Sequence, residues 1–433
     1  MKYNLFIFLF FTTFGFSSLK DNFFTLSSNS QKKIVIDFEI PSFTFKQNIN
    51  KDELFFNDNK SNYFDEPRKF STFINLGTND VEYSVSYESH QKVSFELTQT
   101  SSLLLDKKDI EYELSEHIFR GFKILEISLN PFNLEQESNQ VMMTKSASIE
   151  INLSNNSSIN ENVKHSKIFL DILNEITDNP FDISRNIEFQ NPSILYIADP
   201  DVLNSPYLQS LVNWRKLQGY DVVLTSTNVT GNSTSSIKNY ITSAYYNWEN
   251  PPEYICLVGD ANGSISVPTY DIFGDSPDDA HGESDYPYTL IEGNDLYPEM
   301  LIGRISVRSN SELATVVSKI IGYEKAYAGT DWISNTALVG DPYDSGISTI
   351  ITNQYIEQLM ESHGIENINT KYSGSNFDVF MREQINSGIS FLNYRGFYGF
   401  SNFTQNDVDA LSNGYKLPFL TTLTCDTGSF ETD

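Results

Sequence analysis

The sequence predicts an α/β protein: a mostly parallel sheet flanked by helices, preceded by a β-rich domain. Three observations carry this. From about residue 31 to 155, apolar residues recur with period two, as in Val81, Tyr83, Val85 and Tyr87 and again in Leu125, Ile127 and Leu129. From residue 193, short apolar runs alternate with stretches of helical period. A polar, Ser/Asn-rich break at Ser154–Asn162 separates the two grammars. Period two marks strands with one buried face, and alternation of strand and helix marks a parallel sheet covered on both faces.

Residues 1–22, the first element in chain order, read as a secretory signal peptide, with Lys2 ahead of an apolar run from Leu5 to Phe16 and the small residues Ser17 and Ser18 after it. That run is too short for a membrane span of about 20 residues, so an exported chain with no span in its mature form is expected. Residues 23–155 form the β-rich domain. Residues 156–192 are expected as a linker, with a short helix near Ile168–Ile176 and a breaker at Asp178-Asn179-Pro180.

The α/β domain is placed at 193–433. Ile194–Ala198 is its first strand. Ser205-Pro206 opens a helix that ends at Gly219. Val222–Leu224 and Tyr254–Val258 are strands, separated by a helix with Ile237, Ile241 and Ala244 on one face. Helices around Leu313–Ile321 and Ile350–Leu359 are expected, with strands at Ala337–Val339, Ile389–Tyr394 and Leu417–Thr424. In such sheets the site lies at the carboxyl ends of the strands.

Composition narrows the function classes. The chain has 433 residues, 57 acidic against 29 basic side chains, and a net charge of −28. That balance argues against nucleic-acid binding, which needs a surplus of Lys and Arg. Two cysteines are too few for a disulfide scaffold or a zinc cluster of several thiolates.

Cys425 ends the run from Pro418 to Thr424 and precedes Asp426-Thr427-Gly428. A thiol on a strand-end turn with free amides beside it can combine nucleophile and oxyanion hole. A small core residue at a strand terminus is the competing reading. Cys256 lies between Ile255 and Leu257 in mid-strand and reads as core. A thiol nucleophile needs a base. Of the five histidines, His281 lies in the loop leaving the Tyr254–Val258 strand, on the edge where Cys425 ends. The loop from Asp271 to Glu299 is rich in carboxylates, among them Asp285, Asp295 and Glu299. Calcium, a hard cation with six to eight oxygen ligands, suits such a set.

Ordered blocks across about residues 193–433 resemble the gingipain-type cysteine peptidases: Leu257-Val258-Gly259-Asp260, Glu292-Gly293-Asn294-Asp295, Ile302-Gly303-Arg304-Ile305, Asn393-Tyr394-Arg395-Gly396 and Cys425-Asp426-Thr427-Gly428. Arg120-Gly121 and Leu129-Asn130-Pro131-Phe132-Asn133 are similar to the propeptide of that family. The resemblance implies a caspase-like α/β fold, a Cys–His dyad, bound calcium, protein or peptide substrates, and secretion as a zymogen with Arg185 as a processing site. Cys425 matches the family nucleophile. The base does not match. The family pattern is Asn-Tyr-x-Gly-His-Gly, and Phe397 stands at the histidine. The family's catalytic domain continues well beyond Cys425, so the α/β domain reads as C-terminally incomplete. An acidic residue in the loop after Ala337–Val339 recognises a basic P1 side chain in the related peptidases, and Asp341 and Asp344 occupy that loop here. Asp344 is the expected contact. Two readings remain: a secreted cysteine endopeptidase with Cys425 as nucleophile and His281 as base, or an inactive relative serving as a cell-surface binding or adhesion module.

Overall fold

A computed structural model describes residues 23–46, 53–56, 61–63, 69–78, 80–96, 112–134, 140–154, 164–181, 187–272, 282–325, 331–425, 427 and 430. The expected signal peptide, His281 and Arg185 lie outside them. The chain forms two compact units, Met1–Pro192 with Thr289–Leu301, and Ser193–Tyr288 with Ile302–Asp433.

The first unit is β-rich. The long strand Gln140–Leu153 pairs along its length with Tyr83–Glu96, and on its other side with Lys33–Glu39 and Phe132–Leu134, all antiparallel. A second sheet joins Phe70–Thr78, Phe122–Leu129 and Tyr112–Phe119. The alternation read from the sequence is what packs them. Ile34, Ile36, Ile149 and Ile151 from one sheet meet Ile74, Leu76, Leu125 and Ile127 from the other in a buried cluster.

The stretch expected as a linker is largely built into this unit. Helix Lys167–Ile176 starts at Ser166, whose hydroxyl accepts from the Phe169 amide, and it buries Phe169, Leu170, Ile172, Leu173 and Ile176. Those side chains pack on Phe73, Phe119, Phe122 and Ile124. Asn179 then accepts from the Asn75 amide and donates to the Asn75 carbonyl, at 2.7 and 2.8 Å. A polar breaker thus serves as a clasp on a neighbouring strand.

The second unit holds two four-stranded sheets. In the first, Ser193–Ala198 lies parallel between Asp221–Ser226 and Tyr254–Val258, with Leu301–Ile305 beyond the latter. Helices Pro206–Leu217 and Asn310–Lys325 cover one face through Leu208, Leu211, Val212, Leu313 and Val317. They are joined by Glu324, which accepts from Trp214 Nε1, Arg215 and Gln218 at 2.7, 2.6 and 2.9 Å. In the second sheet, Asn367–Lys371, Asn335–Gly340, Phe391–Tyr398 and Phe419–Cys425 are all parallel. Helix Phe377–Ser387 packs Phe377, Met381 and Ile385 against Ala337, Val339, Leu392 and Tyr394. Parallel sheets between helices are the fold class the sequence predicts. Leu301–Ile305, Asn367–Lys371 and helix Phe377–Ser387 are additions to the elements expected from periodicity. The segment Asn367–Lys371 is mostly polar and exposed at most positions, so no alternation marks it.

One buried polar chain crosses the second sheet. Asn353, on helix Ser348–Ser362, donates to the Val339 and Thr349 carbonyls at 3.1 and 2.9 Å. Its own carbonyl accepts from Asn393 at 2.8 Å, and Asn393 in turn accepts from Thr421. Both asparagines are almost fully buried. Replacing one partner of such a network leaves the others unsatisfied, at about 1–3 kcal/mol for each group. Asn353→Leu is therefore expected to destabilise the chain by about 2–4 kcal/mol, read as a lower urea midpoint. An unchanged midpoint would show that the network contributes nothing net.

Candidate active site

Cys425 is the last residue of the Phe419–Cys425 strand and is exposed. Its carbonyl accepts from the Gly399 amide at 3.0 Å, which ties the ends of two neighbouring strands together. Cys256 is different. It sits within Tyr254–Val258, packs against the first sheet's core, and burial pushes its thiol up to about 12. A thiol held protonated is a poor nucleophile, and of the two cysteines Cys425 is the exposed one. The neighbouring Asp426, Gly428 and Ser429 lie outside the described residues.

The ladder beside Cys425 carries an irregularity. Asn393 pairs with Thr421 and Arg395 with Leu423, two residues apart on each strand. The next pair is Tyr398 with Cys425, three residues on one strand against two on the other. This is a β-bulge, which inserts an unpaired residue and re-aims the side chains after it. In regular register Phe397 would have paired with Cys425. With the bulge, Tyr398 does. Phe397 and Tyr398 are 53% and 68% exposed.

The bulge has a built support. Tyr394 is buried, and a Cβ at Gly396 would collide with its hydroxyl, so only glycine fits there. The Tyr394 hydroxyl shares a 2.5 Å hydrogen bond with Ser401, which donates to Asp341. Ser401 and Asn402 both have left-handed backbones, with φ of 43° and 64°, a conformation that costs non-glycine residues energy and clusters at functional sites. Arg395 spans the strands by donating to the Gly396 and Leu423 carbonyls, both at 2.8 Å.

No imidazole among the described residues of this unit reaches that edge. His363 follows helix Ser348–Ser362, which leaves the carboxyl end of Asn335–Gly340 and returns to the start of Asn367–Lys371. At 1.5 Å per residue that helix carries the chain roughly 20 Å away. The ring of His363 stays at its own helix end, with Nδ1 2.8 Å from the Leu359 carbonyl. His90, His117 and His165 belong to the other unit.

The three carboxylates expected to share a cation fall in different settings. Asp285, in the second unit, has both oxygens on the Arg304 guanidinium at 2.7 and 2.8 Å. Arg304 also donates to the Gly259, Asp260 and Val267 carbonyls, and its guanidinium lies 5.3 Å from the Phe430 ring. Asp285 is thus committed to a guanidinium instead of presenting a free carboxylate to a metal. Asp295 and Glu299 belong to the first unit. Asp295 accepts from the Ile118 and Tyr297 amides at 2.8 Å. Glu292 beside them accepts from Gly121 at 2.6 Å. Glu299 is fully buried. One oxygen accepts from the Ile291 and Glu292 amides at 2.7 and 3.1 Å, and the other has no hydrogen-bond partner. Burial raises its carboxyl to about 7, against the pull of those amides. Among the described residues, no three of His, Cys, Asp and Glu are grouped to hold a metal ion. Asp344, by contrast, is exposed in the turn after Asn335–Gly340 with φ of 61°, while Asp341 is occupied by Ser401 and the Tyr343 amide.

The model of peptidase family C25 matches residues 187–433, over half of the chain. The chain belongs to peptidase family C25. It is similar to gingipain R2 of Porphyromonas gingivalis, 27% identical over 236 residues, 52% of this chain and 31% of that protein. Lys-gingipain of the same organism is 23% identical over 344 residues, 72% of this chain and 18% of that protein. The crystal structure of the Arg-specific cysteine proteinase gingipain R superposes with a TM-score of 0.48 at 25% identity, covering 56% of each chain. The chain spans about a third or less of the length of these curated relatives. This C25 member departs from the Gly-His-Gly pattern in number as well as kind. Two residues, Phe397 and Tyr398, stand between Gly396 and Gly399, where the pattern has one.

Glu299 makes the pH dependence of the first unit testable. Its folded pKa lies above the 4.5 of an exposed glutamate. The folded form therefore holds the proton more tightly, and its contribution is present below about 4.5 and lost as the pH rises through about 7. The loss is on the order of 3 kcal/mol. In chelator, the unfolding midpoint should fall between pH 5 and 7.5 in the parent protein and stay flat across that window in Glu299→Gln. Equal slopes for the two proteins would remove Glu299 as the cause.

Proposed function

We propose that the chain is a secreted, calcium-stabilised cysteine peptidase of the C25 type, acting on proteins through Cys425. The observation that carries this reading is an exposed thiol at the carboxyl end of a parallel strand, on a rim built from strained loop residues. Membership of the family supports the reaction class. A net charge of −28 supports a substrate other than nucleic acid. The expected signal sequence supports export, and no helix among the described residues is long and apolar enough to cross a membrane. Asp344 is the carboxylate offered to a basic P1 side chain, because its neighbour Asp341 is already bound. His281 stays the proposed imidazole. A second reading, an inactive binding module, is favoured by Phe397 and by the absence of an imidazole at this edge among the described residues of this unit.

Two measurements separate the readings. A thiol poised for attack should be alkylated by iodoacetamide at Cys425 much faster than a cysteine in the unfolded chain at pH 7. Cleavage of an unfolded protein substrate should disappear in Cys425→Ala. Slow labelling together with no cleavage leaves the binding module.

Calcium is proposed at Asp295 and Glu299, which share the Thr289–Leu301 segment, with backbone carbonyls completing the shell. The support is the buried Glu299 oxygen that lacks a partner. Asp285 is left out of this set. A cation present at 100 times its dissociation constant adds about 2.7 kcal/mol. Chelation should therefore lower the thermal midpoint by several degrees, and calcium, not magnesium, should restore it. A midpoint indifferent to chelator removes calcium from the proposal.

A further inference from the structure

We propose that Tyr398, and not Phe397, is the side chain that works with Cys425, its phenol donating to the sulfur and then to the leaving group. Only the second half of this proposal rests on the peptidase reading. Residues opposite one another in a parallel pair point to the same face of the sheet. The pair Asn393 and Thr421 shows this here, since their side chains are hydrogen-bonded. Arg395 and Leu423 continue that face. The bulge at Gly396 and Phe397 absorbs one residue, so Tyr398 re-enters register opposite Cys425. Both side chains are exposed on the carboxyl edge. Phe397, like Gly396, has no partner in this ladder, and its ring has no proton to give or accept.

The bulge is held in place from below. Tyr394 lies against Gly396, and the Tyr394–Ser401–Asp341 chain anchors the loop beyond it. A slip that returned Phe397 to Cys425 would have to break the Gly399 to Cys425 hydrogen bond as well.

The chemistry of a phenol differs from that of an imidazole. With an ordinary value near 10, it keeps its proton at neutral pH, so it is no base for the thiol. It can donate to a thiolate, which stabilises that form. In the balanced cycle, the thiol first loses its proton, to the proposed imidazole or to solvent. The thiolate attacks the peptide carbonyl and a C–S bond forms. The C–N bond breaks as the amine nitrogen takes the phenolic proton, leaving a phenolate. Water attacks the thioester, its proton passes to the phenolate, the C–S bond breaks and the thiolate is restored.

The test uses the full chain with Tyr398→Phe, Tyr398→His and Phe397→His. Iodoacetamide labelling of Cys425 is followed from pH 5 to 10, and cleavage of an unfolded protein substrate is measured beside it. Tyr398→Phe should slow labelling at pH 7 several-fold and move the profile to higher pH. It should also lower cleavage by roughly 10²-fold, as loss of a proton-transfer group does. Tyr398→His should restore labelling and raise cleavage above that of Tyr398→Phe, while Phe397→His changes neither by more than about two-fold, because its ring is out of register. An unchanged labelling profile in Tyr398→Phe overturns the proposal, and so does a gain from Phe397→His that exceeds the gain from Tyr398→His. Labelling requires no turnover. A protein that cleaves nothing yet shows the Tyr398 effect on labelling would lose the peptidase reading and keep the proposed donation from Tyr398 to Cys425.

Discussion

The register of the Phe391–Tyr398 strand controls which side chain stands beside Cys425. On one side this strand pairs with Asn335–Gly340 without interruption. On the other it pairs regularly as far as Arg395 and then gains a residue. The regular part is pinned by buried amides. Asn393 bonds sideways to Thr421 and across to Asn353 on the covering helix, so sliding the strand by one residue would bury unpaired polar groups. The irregular part is pinned by shape. Gly396 is the only residue type that fits over the Tyr394 hydroxyl, and the two left-handed residues, Ser401 and Asn402, turn the chain away. Regular pairing brings the strand to the edge, and one added residue then selects the side chain presented there.

Charge in the second unit is organised around a different centre. The Arg304 guanidinium gathers four backbone carbonyls and both oxygens of Asp285 at the carboxyl edge of the first sheet. The guanidinium also lies 5.3 Å from the ring of Phe430, five residues past Cys425. In a chain this acidic, a buried guanidinium satisfied on every side is a strong organiser, because its planar fork of donors matches carboxylate and carbonyls at once. Glu299, in the first unit, is the opposite case. It is buried with one oxygen unpaired, so its charge is costly unless a proton or a cation joins it.

Much of the fold was legible in the sequence. Strand faces such as Ile34–Ile36 and Ile149–Ile151, and helix stripes such as Ile237–Ile241–Ala244, announce themselves because period and burial are local properties of the chain. The placement of Cys425 at a strand end came from the same reading, as did the division near residue 193 between β-rich and α/β grammar. Tertiary structure alone decided the rest. Thr289–Leu301 joins the first unit, although it lies deep in the C25 region, because its carboxylates accept from the Ile118 and Gly121 amides far away in sequence. Asp285 is committed to Arg304 instead of presenting a free carboxylate, a partnership no spacing rule announces. Tyr398 replaces Phe397 opposite Cys425 because a bulge is an event of pairing between two strands, and the energy that favours it resides in hydrogen bonds and contacts that neither strand possesses alone.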